Sequence, residues 1–155
     1  MTMLWHYTVV ERLRKILAQG QLCPQTAGVP KGEKPAVWFT RRGDWEPTAN
    51  LMVRGDDGRL ARLNQDQTFV LGGGLARIGV APATAPHDWK TFKKLSGISP
   101  QRARTMYEAA VGQGSRVGDW LATFEPVPQA LWLSVETWDD NQRTWVRMRW
   151  EGSGG

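Results

Sequence analysis

The period of the hydrophobic pattern changes late in the chain, and this change limits the folds that the sequence can adopt. Up to residue 115, the longer periodic segments have the three- and four-residue spacing of amphipathic helices. After it, three runs at 119–124, 130–138 and 143–150 have the β-branched and aromatic composition of strands. Helices followed by a group of strands predict an α+β domain rather than a regular repeat of strand, helix and strand.

The N-terminal segment predicts a strand that runs directly into a helix. Residues 3–7 read as a short strand, and the spacing of Thr8 and Glu11 matches a capping box at the start of a helix. Gly20 is expected to end that helix, as glycine commonly does. Its apolar face carries Val9, Leu13, Ile16 and Leu17.

The middle of the chain predicts further elements joined by polar loops. Two helices are expected to begin at Asp88 and Ser99, because both residue types cap helix N-termini and Pro100 suits a first helical position. Polar loops are expected at 23–35 and 54–66, and a helical turn within 41–53. A strand is expected at 36–40, and residues 69–82 are read as a strand, a glycine hairpin turn and a second strand.

The length fits one domain, expected at residues 1–150, with a flexible tail at 151–155. Apolar runs are far shorter than the ~18 residues of a membrane-spanning helix, and a basic segment followed by an apolar core is absent from the N-terminus. We therefore expect a cytoplasmic protein with no membrane partner. Cys23 is the single cysteine and there are two histidines, so neither a disulfide nor a zinc site is expected.

The run at 130–138 contains a glutamate among aromatic residues. As a strand, it would direct Leu131, Leu133 and Val135 to the core and Trp132, Ser134, Glu136 and Trp138 to the other face. If that second face is exposed, Glu136 is an ordinary surface residue. If it lines a cleft, the carboxylate could stabilise positive charge that develops on a sugar.

Three short blocks, in order, resemble the ADP-ribosyltransferase superfamily. "LWHYT" followed by "VVERLRKILAQGQLCP" resembles its first block, particularly in the DNA-targeting DarT toxins and, more distantly, the RNA 2′-phosphotransferases. "AVWFT" resembles the second block, an aromatic strand ending in Ser or Thr, here Thr40. "SVE" resembles the strand that carries the glutamate.

This resemblance implies a toxin-like transferase with a split, strongly bent β-core that binds NAD as its substrate without a metal. His6 would hold the adenosine ribose with Thr8 beside it, and Glu136 would hydrogen-bond the nicotinamide ribose. The walls around nicotinamide would come from Tyr7, Trp38 and Phe39. Glu125, which precedes a proline and would end a strand, is the alternative acidic residue.

The last strand and the net charge of +5 leave other function classes open. Alternate positions of this strand carry Arg143, Trp145, Arg147 and Arg149, a pattern that can track a phosphate backbone and stack bases, or protect an edge strand. The leading hypothesis is transfer of ADP-ribose from NAD to a macromolecule, either nucleic acid or an acidic protein. The alternatives are a nucleic-acid-binding module without catalysis, and a binder of an NAD-derived nucleotide without turnover.

Overall fold

A computed structural model describes residues 2–150, so the predicted tail at 151–155 lies outside the described residues. The fold mixes helices and antiparallel sheet, as the α+β prediction requires. The helices are Val10–Gln19 (α1), Gln65–Leu71 (α2), Trp89–Leu95 (α3) and Pro100–Gly112 (α4). The strands are Leu4–Val9 (β1), Gln21–Leu22 (β2), Val37–Thr40 (β3), Met52–Arg54 (β4), Leu60–Arg62 (β5), Leu75–Val80 (β6), His87–Asp88 (β7), Trp120–Thr123 (β8), Val127–Pro128 (β9), Trp132–Asp139 (β10) and Thr144–Arg147 (β11).

Seven of these strands form one sheet in the order β11-β10-β6-β1-β3-β8-β7. β2 pairs with β9 and β4 pairs with β5 in two small ribbons. Within residues 2–150, every helix is too short or too polar to cross a bilayer.

The centre of the large sheet is split between β1 and β3. β1 pairs with β6 over its full length from Leu4 to Val9, but it pairs with β3 at one position, Trp5 with Thr40. Beyond Trp5 the imidazole of His6 bridges the gap, because its Nδ1 lies 2.8 Å from the backbone oxygen of Trp38. The split leaves space beside the two central strands.

Each face of the sheet has its own hydrophobic core, because successive side chains of a strand point to opposite sides. One core contains Leu4, Leu13, Ile78 and Val135, with Ile16 and Leu17 of α1 packed against it. On the other face, the core contains Trp5, Tyr7, Val9, Trp45 and Leu75.

The start of α1 differs from the prediction. Thr8 belongs to β1, and the residue before α1, Val9, offers no side-chain cap. The backbone N–H groups of Val10 and Glu11 instead donate to the carbonyls of Gly74 and Gly72, at 2.9 and 3.1 Å. Gly72 and Gly74 of the glycine turn therefore cap α1 from a distant part of the sequence.

The glycine turn also connects different elements from those predicted. Residues 65–71 form a helix, α2, so the turn joins a helix to β6 rather than two strands of a hairpin. Glycine is required because Gly73 and Gly74 have φ values of 73° and 123°, in the left-handed region that favours glycine. At Gly72, a Cβ atom would overlap the side chain of Val9.

Two further expectations about the strands are wrong. The predicted polar loop at 54–66 contains the end of β4, the whole of β5 and the start of α2. Leu133 is exposed rather than in the core, because it lies where the register of β10 shifts between Trp132 and Ser134; Leu131 is also exposed and lies in a helical turn before β10. Such a bulge interrupts the alternation of faces, and Trp132 enters the core instead.

The predicted helix caps and the C-terminal hairpin are confirmed. Asp88 Oδ1 accepts from the Thr91 N–H at 2.8 Å, and Ser99 Oγ accepts from the Arg102 N–H at 3.1 Å. Gly20 ends α1 in a left-handed conformation. β10 and β11 pair as an antiparallel hairpin, and β11 forms one edge of the sheet.

Candidate functional site

Two adjoining cavities lie at the split between β1 and β3. The outer cavity has a volume of about 680 Å³ and the inner cavity about 260 Å³. They share the lining residues His6, Tyr7, Trp38, Thr48 and Ala49. We call the two together the split cleft.

The outer cavity is basic. Arg12 and Lys15 of α1 and Arg62 of β5 line it, and its described lining contains no carboxylate. Within residues 2–150, none of these three cations lies within ion-pair distance of an Asp or Glu side chain. A cavity with unpaired positive charges favours an anion.

Arg62 is fixed in the wall of the outer cavity. Its Nη1 donates to the backbone oxygens of Thr48 and Asn50, at 3.0 and 2.8 Å. Partial burial lowers the pKa of Arg62, but guanidinium groups have so high a pKa that the side chain stays charged at neutral pH. Its Nη2 also donates to Met52 Sδ at 3.5 Å, so Nε and the second N–H of Nη2 remain as pre-oriented donors for phosphate or carboxylate oxygens.

The inner cavity is aromatic. Trp5, Trp38, Phe39 and Trp120 line it, and Met106 of α4 adds a flexible apolar side chain. Trp38 and Trp120 meet edge to face with their centroids 5.6 Å apart. Flat apolar walls of this kind favour a planar ring.

A buried carboxylate, Glu46, also lines the inner cavity and is 6% exposed. Its Oε2 accepts from the Thr48 N–H, the Thr48 hydroxyl and the Ser115 hydroxyl, at 3.2, 2.7 and 2.6 Å. Its Oε1 accepts from Trp120 Nε1 at 3.2 Å. Four donors compensate the cost of burying a charge and fix the direction of the carboxylate.

Glu46 was not expected from the sequence. Its one local signal is its place before Pro47, where a glutamate can cap the following turn, and it does accept from the Thr48 N–H there. Ser115 and Trp120 are far away in the chain, so their contribution could not be read from the sequence.

His6 presents an acceptor to the split cleft. The backbone oxygen of Trp38 can only accept, so Nδ1 of His6 carries the proton of that hydrogen bond. Burial lowers the pKa of His6, and the ring is therefore neutral at neutral pH. Nε2 then has a free lone pair, and no group within residues 2–150 donates to it.

Six predicted site residues do line the split cleft. His6, Tyr7 and Trp38 line both cavities, Thr8 lines the outer one, and Phe39 and Thr40 line the inner one. The hydroxyl of Tyr7 is already used, since it donates to the backbone oxygen of Arg42 at 2.6 Å.

The predicted convergence of His6 and Glu136 on one cavity is wrong. His6 and Glu136 both belong to strands that pair with β6, but His6 lies opposite Ile78 and Glu136 lies opposite Arg77. Neighbouring residues of a strand point to opposite faces, so these two side chains do too. Glu136 lines neither cavity of the split cleft; it lines a separate cavity of about 440 Å³ together with Arg77, Trp138 and Trp145.

Glu136 forms a buried ion pair with Arg77 instead. Glu136 Oε1 accepts from Nη2 and Nε of Arg77, at 2.7 and 3.0 Å, and Oε2 accepts from the Ser134 hydroxyl at 2.7 Å. The guanidinium carbon of Arg77 lies 3.7 Å from the ring centroid of Trp5 and 4.5 Å from that of Trp145. These contacts join side chains of β1, β6, β10 and β11 across one face of the sheet.

The other predicted contact residues are also outside the split cleft. Glu125 is exposed beyond the end of β8 and lines neither cavity. Trp145 packs on Arg77 and its Nε1 donates to the backbone oxygen of Asp44 at 3.0 Å, so its ring serves packing. On the same edge, Arg143 pairs with Asp140, Arg147 donates to the backbone oxygen of Leu133, and Arg149 is exposed.

Comparisons of the chain with protein-family models, with curated proteins and with solved structures found no match. What the split cleft can bind is therefore inferred from its side chains. Within the described residues, no three His, Cys, Asp or Glu side chains lie close enough together to hold a metal ion.

Proposed function

We propose that this protein binds NAD, or a related adenine dinucleotide, in the split cleft between β1 and β3. One observation carries the proposal: unpaired cations and an aromatic chamber adjoin in a single cleft. The outer cavity, of about 680 Å³, falls in the roughly 300–1,000 Å³ range of small-ligand sites.

Three parts of a dinucleotide have a matching wall: the diphosphate, one planar ring and one ribose hydroxyl. Arg12, Lys15 and Arg62 attract the diphosphate, and the donors of Arg62 bind its oxygens. One planar ring enters the inner cavity beside Trp38 and Trp120. The free Nε2 of His6 accepts a hydrogen bond from a ribose hydroxyl, which supports the role that the sequence resemblance implies for this residue.

Transfer of ADP-ribose requires a carboxylate beside the nicotinamide ribose. Glu46 takes this role in the proposal, because it lines the inner cavity whereas Glu136 is the partner of Arg77. The bond from ribose C1′ to the nicotinamide nitrogen breaks, and nicotinamide leaves with the electron pair. Glu46 stabilises the resulting oxocarbenium charge until a hydroxyl, amine or water bonds to C1′ and releases its proton to solvent.

A second candidate is binding of the dinucleotide without turnover. It is favoured by the bonding of Glu46, because donors on both oxygens suit a structural carboxylate as well as a catalytic one. The two candidates share the same site and differ in whether nicotinamide is released.

Binding is tested by calorimetric titration of NAD into the wild type and into charge variants of α1. The Arg12→Glu/Lys15→Glu variant should bind NAD at least about tenfold more weakly, because hydrogen bonds to charged groups contribute roughly 1.5–3 kcal/mol each. Arg14→Glu is the control, since Arg14 is exposed on the same helix and lines neither cavity. Equal losses in both variants, or no NAD binding by the wild type, would refute the proposed site.

Turnover is tested by mass spectrometry of nicotinamide released from NAD. Glu46→Gln should abolish release while Glu136→Gln retains it, measured at a temperature where circular dichroism finds both variants folded. Loss in Glu136→Gln alone would refute the assignment of Glu46. Tight binding without release in the wild type would support the second candidate.

A further inference from the structure

A second cavity, of about 560 Å³, lies between α3 and α4 and shares no described lining residue with the split cleft. Its charged lining residues are Lys90, Lys93, Lys94 and Arg104, and its aromatic lining residues are the half-buried Trp89 and the exposed Tyr107. We call this cavity the helix groove. We propose that the helix groove binds a strand of single-stranded nucleic acid.

Helix geometry gathers the positive charges on one side. Lys90, Lys93 and Lys94 are separated by three and four residues on α3, so they share a face, and Arg104 shares a face of α4 with Tyr107. Like charges at this spacing repel each other and destabilise a helix. A bound polyanion would offset this repulsion, because its negative charges attract each of these side chains.

No described carboxylate neutralises the groove. Within residues 2–150, none of its four cations forms an ion pair, and no Asp or Glu lines it. Two acids border the groove in sequence, Asp88 before α3 and Glu108 beside Tyr107. Asp88 caps α3, and the hydrogen bond from the Thr91 N–H lowers its pKa, with a smaller contribution from the Lys90 charge. Glu108 lies four residues after Arg104, but it forms no ion pair with Arg104 and does not line the groove. Glu33 is engaged by Arg102 at 2.8 Å. The field in the groove is therefore positive.

The rings distinguish nucleic acid from other polyanions. Tyr107 is 49% exposed, and no described aromatic ring packs on it. Trp89 is half-buried, and Lys93 Nζ lies 5.6 Å from its ring centroid. Trp89 already packs on Phe92, Trp38 and Trp120, so Tyr107 is the ring that is open to a base. A base that is free to unstack can pack on Tyr107 while the lysines follow the phosphates. A duplex keeps its bases stacked, and an acidic peptide need not offer a ring, so a single strand fits this combination best.

The groove also adjoins the wall of the split cleft. Trp89 lies 6.2 Å from Trp38 and 5.7 Å from Trp120, centroid to centroid, and both of these line the inner cavity. A strand in the helix groove would therefore lie one aromatic layer from the split cleft. Its binding does not depend on whether the cleft takes a dinucleotide.

Fluorescence anisotropy with labelled 12-mers of thymidine and uridine tests the proposal between 50 and 200 mM salt. Lys93→Gln/Lys94→Gln should weaken binding of the better oligomer and reduce the log–log salt slope by about 1.4, since each phosphate contact on a single strand contributes roughly 0.7. Arg14→Gln/Arg59→Gln is the matched control, because both side chains are exposed outside the groove and carry the same total charge. Equal effects of the two double variants would overturn the proposal.

The stacking component has its own variants. Tyr107→Ala should weaken binding about tenfold and Tyr107→Phe less than twofold, because base stacking on a ring contributes roughly 1–3 kcal/mol. Equal competition by a duplex of the same length, or by polyglutamate, would overturn the assignment to single strands. NAD affinity should be unchanged in all these variants, so failure here is separate from failure of the cleft.

Discussion

Replacing Glu136 by leucine removes the counter-charge of Arg77 and should destabilise the fold without touching the split cleft. Both side chains are largely buried, with 10% of the Arg77 side chain and 14% of the Glu136 side chain exposed. Breaking a buried ion pair from one side costs about 3–5 kcal/mol. Arg77 keeps its bonds to Tyr7 and Gly43 and its two indole contacts, so the lower end, about 3 kcal/mol, is expected.

Urea unfolding followed by tryptophan fluorescence measures this loss. For a domain of this size, about 3 kcal/mol corresponds to a fall in Tm of roughly 6–12 °C. The double variant Arg77→Met/Glu136→Leu should be more stable than Glu136→Leu alone, because an apolar pair of similar volume leaves no uncompensated buried charge. Glu125→Leu, at an exposed glutamate, is the control and should change stability by less than about 0.5 kcal/mol.

The reasoning is refuted if Glu136→Leu unfolds at the same urea concentration as the wild type but no longer releases nicotinamide from NAD. That result would place Glu136 in a catalytic site, as the sequence resemblance implies. The single variants Glu136→Leu and Arg77→Met complete the cycle. If the double variant loses as much stability as these two variants together, Arg77 and Glu136 do not act as a pair.

Two further predictions concern His6 and the glycine turn. Burial lowers the pKa of His6, so the unfolded chain takes up a proton near pH 6.5 while the folded chain does not. The free energy of unfolding should therefore fall as the pH drops below 6.5, by at most about 1.4 kcal/mol per pH unit. Urea titrations at pH 7.5 and 5.5 measure this fall. His6→Asn should flatten this dependence, and an unchanged slope would contradict it. Gly72→Ala should lower the free energy of unfolding by about 1–3 kcal/mol, because the added methyl group overpacks against Val9. Gly43→Ala is the control, since no atom lies within 4 Å of its Cβ position. Equal falls in Tm for the two variants would contradict the close approach of Gly72 and Val9.

The local elements were predictable where the signal is itself local. The caps of α3 and α4 and the end of α1 depend on one or two residues, such as Asp88, Ser99 and Gly20, whose side chains or backbone act within a few positions. The helix α2 was missed although Asn64 and Gln67 form a capping box, because its short apolar run before three glycines also reads as a strand.

The site was predictable in part. The first two sequence blocks supplied two groups of lining residues of the split cleft, 6–8 and 38–40. These two segments are close neighbours across the central strands. Glu46 and Arg62 were missed, because a glutamate beside a proline and an arginine in a polar segment have no local pattern that marks a site. Glu136 was misplaced for the opposite reason: its local pattern is suggestive, but its face depends on pairing with β6.

The sequence by itself determined the class of the fold, the positions of most of the longer helices and strands, and one wall of the split cleft, because hydrophobic period and cap chemistry act over a few residues. Only the tertiary structure decided which carboxylate accompanies His6. The antiparallel register of three strands sends His6 and Glu136 to opposite faces, and distant donors at Ser115 and Trp120 hold Glu46 in the inner cavity. Register and long-range hydrogen bonds join residues far apart in the chain, so no short stretch of sequence contains them.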